Sequence, residues 1–207
     1  MLAVYATSMN FTIFEISIVT FLLAISGAIA QFPVGKISDF YDRRKVIIAS
    51  TFGAAIFAVF TIFVSGQMYL PDGLATSKTW FYIFFIFFSF CSLPMFSLIL
   101  AHTNDYITKD KFVAAGAGLQ FVFGLGAISG PFLCSIFMDI VGSNGFFIFL
   151  FFFHFLIGIF GIYRMRIRPT IENPDSQFVA MPQTITPAGI ELNPTTEPIE
   201  EPIKEEN

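Results

Sequence analysis

The chain has 207 residues, of which 55% are hydrophobic and 13% charged, with a mean hydropathy of +0.74 and a formal net charge of −4. These values exclude an ordinary soluble globular domain and a basic nucleic-acid binder, and they predict an integral membrane protein. Cys91 and Cys134 both fall within apolar runs, where free cysteine behaves as a small buried hydrophobe, so neither a disulfide framework nor a cysteine-based metal site is expected.

At the start, Met1 to Ala6 reads as the last turns of an earlier helix ending near Asn10, and further chain is expected upstream. Thr12 and Glu15 have capping-box spacing, in which the threonine hydroxyl takes the amide near Glu15 while the glutamate reaches back. That gives Glu15 a structural role; the alternative is a coupling role. Ile13 to Val34 and Val46 to Ser65 each supply about the 20 apolar residues that a roughly 30 Å hydrocarbon core requires. Three further apolar runs follow, Trp80 to Ala101, Phe112 to Met138 and Gly145 to Tyr163. Five transmembrane helices are therefore expected over about 12–34, 46–66, 80–101, 112–138 and 145–163, within a membrane domain of residues 1–168.

The loops predict the orientation. Gly35 to Lys45 holds Lys36, Arg43, Arg44 and Lys45, Gln67 to Thr79 holds only Lys78, His102 to Lys111 holds Lys109 and Lys111, Asp139 to Asn144 holds no basic residue, and Arg164, Arg166 and Arg168 follow the last span. Basic residues thus alternate between the two sides, and the positive-inside bias puts the richer side in the cytoplasm. From Pro169 to Asn207 one basic residue stands against eight acidic ones and seven prolines appear. Such a composition cannot bury enough apolar surface to offset its ordering entropy, so residues 169–207 are expected to form a disordered cytoplasmic tail, with docking as the alternative.

Gly35-x-Ile37-Ser38-Asp39-x-x-Asp42-Arg43-Arg44 resembles the charged loop between helices 2 and 3 of the major facilitator superfamily, repeated more weakly between helices 8 and 9. Asp42 in place of the usual glycine and Phe40 in place of the usual basic residue favour the weaker copy, as do the four helices that follow. Gly124-x-Gly126-Ala127-Ile128-Ser129-Gly130-Pro131 is similar to the Gly-Pro motif of helix 5 in the superfamily's antiporters, whose repeat mate is helix 11. Physically, Gly126 and Gly130 make a small-x-x-x-small face for close helix approach, and Pro131 removes one backbone hydrogen bond and permits bending. Ala101 to Asp105, Ala114 to Leu119, Phe178 to Pro182 and Glu191 to Pro194 look like the YcaD-like group of bacterial permeases.

The resemblance implies an all-α carboxy-terminal half running from the end of helix 7 to helix 12, one inverted repeat of a secondary transporter of the bacterial inner membrane. Its partners would be the lipid bilayer, the amino-terminal half, absent from this chain, and a small-molecule substrate, with no cofactor and no nucleic acid. It further implies that Asp39 and Arg43, with Gly35 and Arg44, belong to a conformational latch that meets a helix of the other half; the alternative is a solvated turn that sets topology. Helices 8, 10 and 11 would line a cavity, and their polar residues Ser26, Gln31, Ser89, Ser92, Gln120 and Ser129 suit that role, with Ser26, Gln31, Ser92 and Gln120 the candidate lining residues. An amide at membrane depth needs partners, so Gln120 either faces the cavity or bonds a neighbouring helix. His154, in the apolar last span, reads as a neutral histidine bonded to a neighbour, against a functional intramembrane group. Asp105 and Asp139 lie at span ends, where headgroup water is expected to solvate them. No paired carboxylates, metal cluster or activated nucleophile suggest an enzyme. The alternative to a transporter half is a non-transporting interaction or sensory module.

Overall fold

The computed structural model describes residues 1–67, 74–167 and 180–181. It is all-helical among those residues: α1 (Leu2–Ser8), α2 (Ile13–Phe40), α3 (Arg43–Gln67), α4 (Leu74–Ser92), α5 (Met95–Asn104), α6 (Phe112–Val141) and α7 (Gly145–Ile167), with a short 3-10 turn at Lys109–Lys111 before α6. The first, second, fourth and fifth apolar runs become α2, α3, α6 and α7, and the third becomes α4 and α5 together, so five segments are long and apolar enough to cross a membrane. The Gln67 to Thr79 loop lies outside the described residues over 68–73, and the tail does so everywhere except Ala180 and Met181.

Local chemistry accounts for most boundaries. Just beyond α1 the chain turns at Asn10, whose φ of 57° is one that asparagine tolerates better than most residues. The capping box then starts α2: the Thr12 amide donates to Glu15 Oε2 at 2.7 Å and the Glu15 amide donates to Thr12 Oγ1 at 3.3 Å. Glu15 Oε1 also pairs with Lys78 at 2.6 Å, pinning the start of α2 to α4. At the far end of α6, Gly142 adopts a φ of 80° and its carbonyl accepts the Gly145 amide, so the chain turns at once into α7.

Two boundaries differ from the expectation. The charged segment, expected as a loop from Gly35, is helical through Phe40 and leaves only Tyr41 and Asp42 between α2 and α3. Twenty-eight residues at about 1.5 Å each outrun a roughly 30 Å core, so α2 carries its polar last turns out of the hydrocarbon as helix. The third span breaks at Leu93 and Pro94, whereas α2 runs on through Pro33 and α6 through Pro131. Pro94 lacks an amide to continue α4 and instead lends its carbonyl to the Leu98 amide, starting α5.

α3 is the hub, packed along α4 and α7 and touching α5 and α2; α4 also packs on α2, and α6 rests mainly on α7. The core is aromatic. Fully buried Tyr5 from α1 meets Phe147 edge-on at 5.0 Å and stacks on Phe146 and Phe81 at 5.5 and 6.0 Å, with Phe85 and Phe88 extending the cluster along α4. Lipid tails are as apolar as these rings, so shape and quadrupole geometry hold the cluster, at about 0.5–1.5 kcal/mol per well-placed pair, rather than exclusion from water. Close helix approach occurs at Gly27, Gly158 and Gly161, where a Cβ would meet Leu93, Phe52 and Ile48 respectively.

Candidate functional site

The described charges at the α2–α3 turn form two linked clusters. Asp42, standing where the resemblance expects glycine, is the N-cap of α3: its carboxylate accepts the Arg44 amide at 3.0 Å and its carbonyl accepts the Lys45 amide at 2.8 Å. The same carboxylate takes Arg44 Nε at 3.2 Å and Nη2 at 3.0 Å, so the residue that departs from the motif orients the arginine beside it. Gly35 is buried within α2, and Ser38 Oγ donates to its carbonyl at 2.7 Å.

Arg43 is the centre of the second cluster. Its side chain is 3% exposed, and it ties three helices together by donating to Asp39 on α2 at 2.9 Å, to Asp105 at the end of α5 at 2.6 Å and to the Ala101 carbonyl at 3.0 Å. The Ala101 carbonyl belongs to the last turn of α5, where the helix dipole is negative and a guanidinium is favoured. The side chain of Asp105 is only 6% exposed, which corrects the expectation that headgroup water solvates its carboxylate. Once the arginine reaches across, the acid exchanges water for a charge-assisted bond. No spacing rule links residues 62 apart, so the sequence pattern does not pair Asp105 with Arg43; its one signal is an unmatched acid at a span end level with the basic loop.

The Major Facilitator Superfamily profile matches residues 1–200. The chain belongs to the major facilitator superfamily. Among its relatives are the uncharacterized MFS-type transporter YE1530 of Yersinia enterocolitica, 24% identical over 156 residues, and YfkF of Bacillus subtilis, 26% identical over 152 residues. These alignments cover 75% and 71% of this chain and 35% of each relative, so the chain spans about a third of the relatives it matches. No solved structure matches it significantly.

In this superfamily chain the four candidate lining residues do not converge on one site. Ser26, 5% exposed, donates to the Leu22 carbonyl of its own helix at 2.6 Å. Ser89 likewise donates to Phe85, and Ser129 to Leu125. Ser92 turns to α7 and bonds His154 Nε2 at 2.9 Å. His154 Nδ1 lies 2.7 Å from the Leu150 carbonyl, which can only accept, so in the neutral ring Nδ1 carries the proton and Ser92 donates to Nε2. Gln31 is half-buried on α2. Gln120 Oε1 is enclosed on α6 with no hydrogen-bond partner among the described residues.

The glycine motif of α6 has open space beside it. A Cβ added at Gly124, Gly126 or Gly130 would meet nothing within 4 Å, and only 6% of the apolar stretch of α6 is buried, against 39% for the third span. Phe121, Leu125, Ile128 and Phe132, on α6 near these glycines, are all more than half exposed. Met181 shows the opposite behaviour. It is 4% exposed; its amide donates to Ser97 Oγ at 3.1 Å and its carbonyl accepts from the same hydroxyl at 2.9 Å, so this point of the tail is docked on α5.

Proposed function

We propose that the chain is the carboxy-terminal half of a YcaD-like secondary transporter, helices 8 to 12 with the end of helix 7, and that it moves a small molecule across the bacterial inner membrane by alternating access against an amino-terminal half. The observation that carries the proposal is the small-residue face of α6, where a Cβ at Gly124, Gly126 or Gly130 would meet nothing within 4 Å although such faces exist to let a neighbouring helix approach. Superfamily membership and alignment to about a third of each relative support the same reading. α2, α5 and α6 then supply one cavity wall, with Gln31 and the enclosed Gln120 amide its polar candidates, and the clustered arginines mark the cytoplasmic end together with the tail.

In this reading the Arg43 cluster joins α2, α3 and α5 into one rocking body, while the side chain of Asp39, 35% exposed, lies where the positive end of a helix from the other half would meet it. Such a contact is worth about 0.3–1 kcal/mol when exposed and up to about 2 when partly buried, which biases a two-state gate severalfold. The test is reconstitution with an amino-terminal half from a YcaD-like relative. Uptake or efflux should appear only when both halves are present, and Asp39→Asn should cut it sharply while expression stays normal. Assembly without any flux for a broad panel of small molecules would favour the sensory or interaction module instead.

A further inference from the structure

Where α3, α5 and α7 meet at the charged end of the bundle, Arg44, His102, Thr103, Tyr106, Ile107 and Arg164 line a cavity of about 240 Å³. The close approach of α3 and α7 builds it. Gly158 sits against Phe52 and Gly161 against Ile48, so one further turn along this antiparallel pair brings Arg164 level with Arg44. α5 closes the third side with His102, whose ring meets Tyr106 edge-on at 5.1 Å.

The lining is rich in donors and contains no carboxylate among the described residues. Asp42 offsets the charge of Arg44 and holds its guanidinium in place, and Arg43 is matched by Asp39 and Asp105. Arg164 has no acidic partner within the described residues, and neither the His102 ring nitrogens nor the Tyr106 hydroxyl has a protein hydrogen-bond partner there. A guanidinium without an acidic partner among the described residues, a second one fixed in orientation, an imidazole and a phenol thus face one space.

We propose that this pocket binds a phosphate group. Donors arriving from several directions suit a tetrahedral anion with three or four acceptor oxygens better than a planar carboxylate, and guanidinium forks engage phosphate two bonds at a time. The position, at the level where apolar helix gives way to charged turn, puts the pocket at phospholipid headgroup height. A soluble phosphate ester reaching the same mouth from water offers the same chemistry.

Native mass spectrometry of the 207-residue chain in nonionic detergent, titrated separately with phosphatidylglycerol and with glycerol 3-phosphate, distinguishes the two sources. One equivalent of phosphatidylglycerol should bind, and Arg164→Gln should weaken it about tenfold, the size expected for loss of a charge-assisted contact. Arg166→Gln makes the same charge change on α7 outside the pocket lining and should bind as the unaltered chain does. Binding of glycerol 3-phosphate alone, with the same dependence on Arg164, would support the pocket and assign it to a soluble ester. Equal losses in the two variants, or no saturable binding of either probe, would overturn the proposal. Arg164 makes no ion pair within the described fold, so circular dichroism of Arg164→Gln should match the unaltered chain and keep a binding loss interpretable.

Discussion

Arg43 shows how much one side chain can carry when it is buried. Its partners lie on α2 and at the end of α5, and removing it leaves Asp105 in a site that admits almost no water. Breaking a buried pair on one side costs about 3–5 kcal/mol, whereas replacing both partners with apolar groups of similar shape is often near neutral. Arg43→Met should therefore lower the thermal midpoint strongly in detergent, and adding Asp105→Leu should recover much of the loss. Equal midpoints for Arg43→Met and the unaltered chain would show that the network contributes nothing. Glycines divide in the same way. At Gly27 a Cβ would overlap Leu93, so Gly27→Ala should cost about 1–3 kcal/mol by overpacking, and a midpoint shift measures it.

Among the elements, α5 depends on contacts that a span-by-span reading treats as independent. The Ser97 hydroxyl ties the tail to α5, accepting the Met181 amide and donating to the Met181 carbonyl. Ser97→Ala removes both, each worth about 1 kcal/mol net, so hydrogen exchange at the Met181 amide should quicken about tenfold or more. Unchanged exchange would mean that side-chain burial of Met181 holds the tail without the serine. α3 owes its sharp start to Asp42, and the capping box of α2 doubles as the anchor for Lys78, so at both ends of α2 a helix cap also holds a salt bridge.

For the whole molecule, the contrast between filled and open glycines is the most informative feature. Gly126→Leu should leave the stability of the isolated chain within about 0.5 kcal/mol, because nothing lies near that position, yet abolish assembly and transport once an amino-terminal half is supplied. A large loss of stability in the isolated chain would show that α6 packs on this chain through the glycine face. Orientation is tested on intact cells after removal of Cys91 and Cys134. A cysteine replacing exposed Tyr41 should resist an impermeant thiol reagent while one at Ser77 reacts; the reverse pattern would invert the topology.

Hydropathy, charge and capping were legible in the sequence because they act locally: each residue's preference for lipid or water adds along a span, and Thr12 with Glu15 completes its motif within one turn. By itself the sequence thus determined a membrane protein with five apolar spans and the start of α2. Tertiary structure alone decided that Asp105 answers Arg43, that Ser92 turns to His154, that Met181 returns to Ser97 and that Arg164 stands beside Arg44. Those pairs depend on the rotation and register of packed helices. In a bilayer, where apolar faces are nearly equivalent, shape, small residues and polar partners set that register, and a linear pattern does not encode it.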